Sequence, residues 1–376
     1  AVIDWICRYA RLAASKAAGA EGKLREDYET VARVCARIAE HPPETFHEAL
    51  QTFSFCHLLS TQLLWSSVGL GQRFDQIFYP FYKKERDEGK LTYDRAVELF
   101  EFLWIKLDDL GQINSPAAGM VQVGGTKFQN IAIGGVDENG DDATNELSFA
   151  ALEATMNLRT LQPALTLRYH RNIDPKLIDK ATDLIASGMG MPSFFNDETA
   201  IETMMAGAKE RLGDDWSPEN EKATLDLARN WASVACVGGG MSTGQIVRGT
   251  LTTMITSGVL NFLKCLEYVM YQGVEPETGE QIGLRTPDPR TFASYDELLD
   301  SYLAQIRYQI EQVSKVYEIA EKIYEERTPR PFESLLMTTP ILRGRDAVHE
   351  GDMSGTQVYT QAPVNAADSL AVIKKL

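Results

Sequence analysis

The sequence is poor in basic residues relative to acidic ones. Its 37 Lys and Arg residues stand against 53 Asp and Glu residues, a formal net charge of −16 at pH 7. Nucleic acids and anionic membranes attract proteins mainly through clustered positive charge. We therefore expect neither a nucleic acid nor a membrane among the partners, and we attribute the acidic surplus to solubility.

Long apolar runs, a secretory leader and paired cysteines are absent as well. No apolar run approaches the roughly 18 residues that a membrane-spanning helix needs, and the first residues lack the basic head and cleavage site of a signal peptide. The five cysteines are widely spaced and include no CxxC pair: Cys7, Cys35, Cys56, Cys236 and Cys265. The composition therefore predicts no disulfide framework, no metal site and a reducing, cytoplasmic compartment.

The motifs of several common enzyme classes are also missing. The chain has no GxGxxG loop after a strand, no GxxxxGK[ST] loop and no HExxH pair. The acidic turn at 137–142 lacks the closing glutamate of a calcium-binding EF-hand loop. Dinucleotide-binding, P-loop, zinc-protease and EF-hand classes thus have no support.

What is present is an ordinary globular composition, 44% hydrophobic and 24% charged over 376 residues. Periodicity and capping residues predict helices over 3–39 with a break near 19–22, 46–64, 93–110, 143–158, 174–187, 218–230, 249–271, 295–327 and 366–376. Thr45 and Glu48 match the capping-box pattern at the start of the second of these. Short apolar runs predict strands over 128–134, 162–170, 192–197, 231–236 and 333–338. Strands that alternate with helices indicate an α/β fold around a parallel sheet.

Small or polar residues follow the predicted strands. The pairs are Gly134-Gly135, Tyr169-His170, Asn196-Asp197 and Val237-Gly238. The carboxyl ends of parallel strands meet at one edge, and in a closed barrel this edge carries the catalytic groups. This repetition is the main indication from the residues alone that the protein is an enzyme.

One of these strands ends in a cysteine and three glycines. The stretch from Trp231 to Gln245 reads WASVACVGGGMSTGQ, with Cys236 directly before the glycine-rich part. Glycines allow a substrate to approach the backbone closely. Free cysteine is also among the most buried residue types, so an inert, packed Cys236 is the competing interpretation.

Two chemistries remain open for a reactive Cys236. A Cys–His hydrolase or acyltransferase needs a base, and His170, at a strand end, is the best-placed histidine. A thiyl radical instead abstracts a hydrogen atom and needs no histidine, but it needs an apolar pocket that excludes water. The residues alone do not decide between the two.

Eight segments, in order along nearly the whole chain, resemble the glycyl radical enzymes of the pyruvate formate-lyase-like family. They are PETFHEALQ at 43–51, RFDQIFYPFY at 73–82, QNIAIGGVD at 129–137, DATNELS at 142–148, QPALTLRYH at 162–170, PSFFND at 192–197, ACV at 235–237 and ADSLAVIKK at 367–375. The resemblance implies a ten-stranded β/α barrel with Cys236 at the tip of a central loop as the transient thiyl. It also implies a small organic substrate and anaerobic chemistry.

The same resemblance implies a radical store and partners. In the family a glycine near the carboxyl terminus holds the radical, which an iron–sulfur activase installs with S-adenosylmethionine; no other cofactor is expected. The Arg…Gly-Tyr motif of that glycine does not occur in residues 1–376. We expect 1–376 to be a single barrel domain without the family's N-terminal portion and glycyl loop. Homodimers and small accessory subunits are further expectations.

Two departures from the family pattern narrow the reaction. Ala235 precedes Cys236, whereas pyruvate formate-lyases proper carry adjacent cysteines for acyl transfer. Gly238 stands where the dehydratases, carbon–heteroatom lyases and arylacetate decarboxylases carry a glutamate that moves protons. The favoured prediction is therefore radical addition to fumarate, as in the benzylsuccinate and alkylsuccinate synthases. A lyase with a base elsewhere and a non-catalytic scaffold subunit are the alternatives.

The candidate site residues follow from this interpretation. Cys236 is the catalytic residue. The predicted substrate contacts are Ser66, Ser67, Gln129, Arg168, His170, Gly238, Gly239 and Arg248. Within this set, Arg168 and Arg248 are the candidates for a forked contact with a substrate carboxylate.

Overall fold

The computed structural model describes residues 1–62, 73–111, 129–234, 238–240, 257–336, 338–344, 346 and 357–375. The chain forms two compact units. The first comprises Ala1–Leu251 and Arg330–Arg345, and the second comprises Thr252–Pro329 and Asp346–Leu376.

Helices are the main elements of the described residues. In chain order they are α1 Val2–Ala18, α2 Gly22–Ile38, α3 Phe46–Gln62, α4 Phe74–Asp87, α5 Tyr93–Asp108, α6 Glu146–Leu158, α7 Pro175–Leu184, α8 Asp197–Leu212, α9 Pro218–Arg229, α10 Phe262–Met270, α11 Tyr295–Arg327, α12 Pro331–Ser334, α13 Thr338–Arg343 and α14 Pro363–Lys375. A short π-helix, Ile185–Met189, continues α7, and 3₁₀ turns occupy Gly213–Asp215 and Pro289–Thr291.

The capping residues read from the sequence act as predicted. Thr45 Oγ1 accepts a hydrogen bond from the amide of Glu48 at 3.2 Å, and the Glu48 carboxylate accepts one from the amide of Thr45 at 3.3 Å. Thr92 caps α5 and Ser217 caps α9 in the same way, through their hydroxyl groups. These caps satisfy amides that have no partner inside the helix. These three predicted helix starts, at Phe46, Tyr93 and Pro218, are confirmed, and the signal of each is local.

Seven strands form three separate sheets among the described residues. The strands are β1 Asn130–Gly134, β2 Ala164–Tyr169, β3 Ser193–Asn196, β4 Ala232–Val234, β5 Gly238–Gly240, β6 Ser257–Asn261 and β7 Gln357–Gln361. β1, β2 and β3 form a parallel sheet in that order, with Gly134 opposite Arg168 and Arg168 opposite Phe195. β4 and β5 pair antiparallel, and β6 and β7 pair parallel.

The sheet β1–β3 is packed on one face by apolar side chains. Ile131, Ile133, Leu165 and Leu167 are all at most 1% exposed. Helices α4 and α6 contact β1, and α5 packs on α6. An aromatic cluster fills this layer: Phe46, Phe53, Phe74, Phe78, Tyr82, Phe100 and Trp104. Burial of this many large apolar side chains is the main stabilising term of the first unit.

Two predicted elements are wrong. Residues 257–261 were expected inside a helix over 249–271, but they form strand β6, and helix α10 begins only at Phe262, where Asn261 caps it. Residues 333–338 were expected as a strand, but α12 ends at Ser334, a turn follows at 335–336, and α13 begins at Thr338. The remainder of 249–271 up to 256 lies outside the described residues.

The segment 74–82, noted in the sequence for its aromatic residues, is the first part of helix α4. The helix continues through Pro80 to Asp87. Its aromatic positions Phe74, Phe78 and Tyr82 follow a spacing of four and are all at most 3% exposed. The spacing explains why one face of α4 enters the aromatic cluster.

The order of strands and helices agrees with an α/β fold. A parallel three-stranded sheet with a helix after each strand is the unit from which β/α barrels are built. Closure into ten strands and the organisation of 1–376 as one domain remain proposals.

Candidate active site

The two faces of the parallel sheet differ in polarity. Parallel pairing places Asn130, Ala132 and Gly134 on the same face as Thr166 and Arg168. Asn130 Nδ2 donates to Thr166 Oγ1 at 3.0 Å, and both residues are buried. Because buried polar groups are costly unless paired, this face is built for polar contacts rather than for apolar packing.

Asp197, the first residue of α8, lies at the carboxyl edge of this sheet and is fully buried. Its Oδ1 accepts from Arg168 Nε at 2.7 Å and from Trp231 Nε1 at 2.6 Å. Its Oδ2 accepts from Arg168 Nη2 at 2.8 Å and from the amide of Val136 at 2.9 Å. One carboxylate thus ties together the chain after β1, the end of β2, the start of α8 and the residue before β4. The guanidinium neutralises the buried carboxylate by a bidentate contact.

A glycine makes room for Arg168. Gly135 has φ +80°, and a Cβ built on it would lie 2.6 Å from Arg168 Nε and 2.7 Å from Cζ. Any side chain at position 135 would therefore displace the guanidinium. On another side of Arg168, the Trp231 ring lies with its centroid 5.0 Å from the guanidinium carbon, at cation–π distance.

A second buried arginine, Arg73, binds the segment that precedes β4. Its Nη1 donates to the carbonyl of Arg229 at 3.1 Å, which also accepts from Arg168 Nη2 at 2.8 Å. Nη1 also lies 3.4 Å from Asn230 Oδ1, and Nη2 donates to the carbonyl of Val136 at 3.0 Å. Burial, together with the charge of Arg168, lowers the pKa of Arg73 to about 9. Two guanidinium groups therefore hold the last carbonyl of α9.

Strands β4 and β5 lie on the two sides of the predicted catalytic cysteine. Ala232 pairs with Gly240, Ser233 with Gly239, and Val234 with Gly238. The predicted substrate contacts Gly238 and Gly239 thus belong to the strand that returns after residues 235–237. Cys236 itself lies outside the described residues.

His170 is held at the end of β2. Its Nε2 lies 3.2 Å from Asp142 Oδ1, and the His170 side chain is only 4% exposed. Asp142 also accepts hydrogen bonds from the Thr144 amide and hydroxyl and from the amide of Asp174. The pair therefore fixes the 136–142 turn against the residues that follow β2.

Of the other predicted substrate contacts, Arg168 belongs to this cluster and Gln129 lies away from it. Gln129 precedes β1 at the amino end of the sheet, and its buried side-chain amide has no hydrogen-bond partner among the described residues. The Arg168 guanidinium was predicted to bind a substrate carboxylate, and in the structure it binds the carboxylate of Asp197. Its Nη1 is the one nitrogen of this guanidinium without a partner in the described part of the chain. Ser66, Ser67 and Arg248 lie outside the described residues.

Three residues of this cluster had no predicted role: Asp197, Trp231 and Arg73. Asp197 was noted as a polar strand end and Trp231 as the start of the cysteine stretch, but their contact joins positions 34 apart. Arg73 is 156 positions from its acceptor Arg229. The signal available in the sequence was the polar residue at the end of each strand. Which residue it contacts depends on the order of the strands in the sheet, and the sequence alone does not show that order.

Two kinds of feature are absent from the described residues. None of the helices in this part of the chain combines the length and the apolar composition that a membrane span requires. The same residues also include no group of three or more His, Cys, Asp or Glu side chains arranged to hold a metal ion.

The sequence of this chain is similar to a family model and to several known enzymes. A family model described as pyruvate formate lyase-like matches residues 1–376. (2S)-3-sulfopropanediol dehydratase of Klebsiella oxytoca is 31% identical over 376 residues, which cover 99% of this chain and 43% of that protein. Isethionate sulfite-lyase of Oleidesulfovibrio alaskensis is 29% identical, covering 100% of this chain and 44% of that protein.

A solved structure of a relative also matches this chain over its whole length. The hydroxyproline dehydratase of Clostridioides difficile, bound to trans-4-hydroxy-L-proline, superimposes with a TM-score of 0.84 at 26% identity. The match covers 100% of this chain and 45% of that one. The chain thus spans less than half the length of the relatives it matches.

Proposed function

Because this chain belongs to the pyruvate formate lyase-like family, we propose that it is part of a glycyl radical lyase. In this proposal a thiyl radical on Cys236 removes a hydrogen atom from a carbon of a small organic substrate. The substrate radical then expels a neighbouring group, and the Cys236 thiol returns the hydrogen atom. The radical originates on a glycine outside residues 1–376 and is installed by an iron–sulfur activase that uses S-adenosylmethionine.

The relatives favour elimination over addition to fumarate. Their names describe dehydration, sulfite release and decarboxylation: sulfopropanediol dehydratase, isethionate sulfite-lyase and 4-hydroxyphenylacetate decarboxylase. The prediction of fumarate addition rested on Gly238 alone, whereas the relatives match over most of the chain. We therefore place the lyase first.

The observation that carries the proposal is the convergence of polar groups on the strand that leads to Cys236. Asp197, Arg168 and Arg73 all bind the segment 229–231, directly before β4. A reactive thiol needs such a fixed attachment of the preceding segment, because hydrogen transfer depends on close and reproducible alignment of sulfur and carbon.

Elimination also requires a proton acceptor, and Gly238 supplies none. We propose His170 for this role, since its imidazole lies at the carboxyl edge against the carboxylate of Asp142. A carboxylate that orients an imidazole is the common arrangement of a general base. Substitution of His170 by Gln is expected to lower turnover while leaving radical formation intact.

The decisive experiment uses the native polypeptide, activated without oxygen by its activase and followed by electron paramagnetic resonance. A panel of small hydroxy, amino and sulfonate compounds is tested for release of water, amine or sulfite, and fumarate with a hydrocarbon is one further arm. Cys236→Ala and Cys236→Ser should keep the glycyl signal and abolish turnover, whereas Cys7→Ala should retain both. Turnover by either Cys236 variant would refute the thiyl mechanism.

A further inference from the structure

The strand pair that flanks Cys236 has little internal support of its own. β4 and β5 contribute three residues each, and all three residues of β5 are glycine. Glycine gives a strand no side-chain packing and loses the most backbone freedom on ordering. The direction of this pair is therefore set from outside it, by the contact of β4 with β1 and by the residue at which β4 begins.

Trp231, the residue directly before β4, is buried and contacts other residues through both its N–H group and its ring. It is 1% exposed, its indole N–H donates to Asp197 Oδ1 at 2.6 Å, and its ring packs against the guanidinium of Arg168. Phe195 lies on the ring at a centroid distance of 6.1 Å. Since Asp197 is also bound to Arg168 and to the amide of Val136, one carboxylate connects Trp231 to β2 and to the chain after β1.

We propose that Trp231 is a positioning residue for catalysis: its hydrogen bond to the buried Asp197 sets the direction of β4 and so the location of Cys236. The inference rests on the proposed function for its catalytic part. Its structural part, the ordering of 232–240 by the Trp231–Asp197 bond, does not depend on activity.

A matched control exists within the same chain. Trp104 is also fully buried, and its indole N–H donates to a buried side-chain oxygen, Thr155 Oγ1, at 2.8 Å. It lies between α5 and α6 rather than before β4. Trp104→Phe therefore makes the same truncation of the indole and removes a buried indole hydrogen bond without touching the Asp197 cluster.

The test compares Trp231→Phe and Trp104→Phe in the native polypeptide by hydrogen exchange and by kinetics. We expect Trp231→Phe to speed amide exchange in peptides covering 232–240 at least tenfold and to lower kcat at least tenfold, with KM and the glycyl radical signal close to the parent. Trp104→Phe should leave the exchange of 232–240 and kcat within twofold of the parent. Parent-like exchange in the Trp231 variant, or an equal effect of Trp104→Phe, would overturn the proposal.

A second replacement covers the case in which Trp231→Phe does not fold. Incorporation of 3-benzothienylalanine at position 231 keeps the ring shape and removes only the N–H donor, and the same changes are expected. Failure of the proposed function would be recognised separately, because the native polypeptide would then show no turnover, or Cys236→Ala would retain it, while the exchange data would still report on Trp231.

Discussion

Asp197 shows what a single buried carboxylate can organise. Its two oxygens accept four hydrogen bonds, two from one guanidinium, one from an indole and one from a main-chain amide. A buried ion pair contributes little net stability compared with apolar residues, but removal of one partner leaves a charge without compensation. Its value here is geometric, because it fixes four separate chain segments at one point.

The glycine beside Arg168 gives a prediction at the level of one residue. Gly135→Ala places a methyl group within 3 Å of a guanidinium that Asp197 holds in place, in addition to the strain of φ +80°. We expect the free energy of unfolding to fall by about 2–4 kcal/mol. Urea denaturation followed by circular dichroism measures this.

Gly89→Ala is the matched control. Gly89 also has a positive φ, +68°, but a Cβ there would meet nothing within 4 Å. Only the backbone strain remains, so a loss of about 1 kcal/mol is expected. Equal losses for the two variants would show that the contact with Arg168 does not constrain position 135.

Part of this site could be predicted from the sequence. Arg168, His170 and Asp197 follow short apolar runs, so their place at strand ends was predictable. The selection of Asp197 as the partner of Arg168 was not, because it depends on β2 and β3 being neighbours. The sequence therefore predicted a polar edge of the sheet that is typical of an enzyme. It also predicted that Arg168 binds a substrate, and the contact of Arg168 with Asp197 was not foreseen.

At the scale of elements, helix starts could be predicted from local capping residues, whereas a strand whose partner lies far along the chain could not. The caps at Thr45, Thr92 and Ser217 each bond to an amide three positions away, so a short window contains the whole signal. Strand β6 was missed because its partner β7 lies far along the chain. Residues 333–338 were misassigned because a short apolar run fits a strand or a helix equally.

The capping box of α3 yields a prediction on pH. Burial alone would raise the pKa of Glu48, but the amides of Glu44 and Thr45 and the charge of Arg37 outweigh it and lower that pKa. A carboxyl group with a lowered folded pKa adds stability above its unfolded pKa of about 4.3. This contribution is lost as the pH falls through the folded value.

We therefore expect Glu48→Gln to reduce the free energy of unfolding by about 1 kcal/mol at pH 7 and by less at pH 3. Urea unfolding at both pH values measures the difference. Glu26→Gln, at an exposed position of α2, is the control and should change neither value. A loss for Glu48→Gln that does not depend on pH would contradict the assignment.

At the scale of the whole molecule, the question is whether the two compact units unfold together. Each contains a buried thiol: Cys35 in the first unit and Cys265 in the second, both 1% exposed. Burial raises the pKa of each to about 11. Neither thiol should react at neutral pH until its own unit opens.

Pulsed alkylation in increasing urea, read by peptide mass spectrometry, reports both thiols in one experiment. We propose that 1–376 acts as one barrel domain, and so we expect the same midpoint for Cys35 and Cys265. Midpoints that differ by more than the error of the fit would show two independently unfolding units. Cys7, which is only half-buried, serves as the reference for labelling in the absence of urea.

The pairing of β6 with β7 has a consequence for how the chain is made. Ser257 pairs with Gln357, one hundred positions later, and no closer strand is bound to β6 among the described residues. At about 5–20 residues per second, a ribosome adds those residues in roughly 5–20 s. For that time β6 lacks the strand that pairs with it in the folded chain, and an unpaired strand edge can bind other chains. We therefore expect a chaperone to act on β6 during the interval between the synthesis of the two strands.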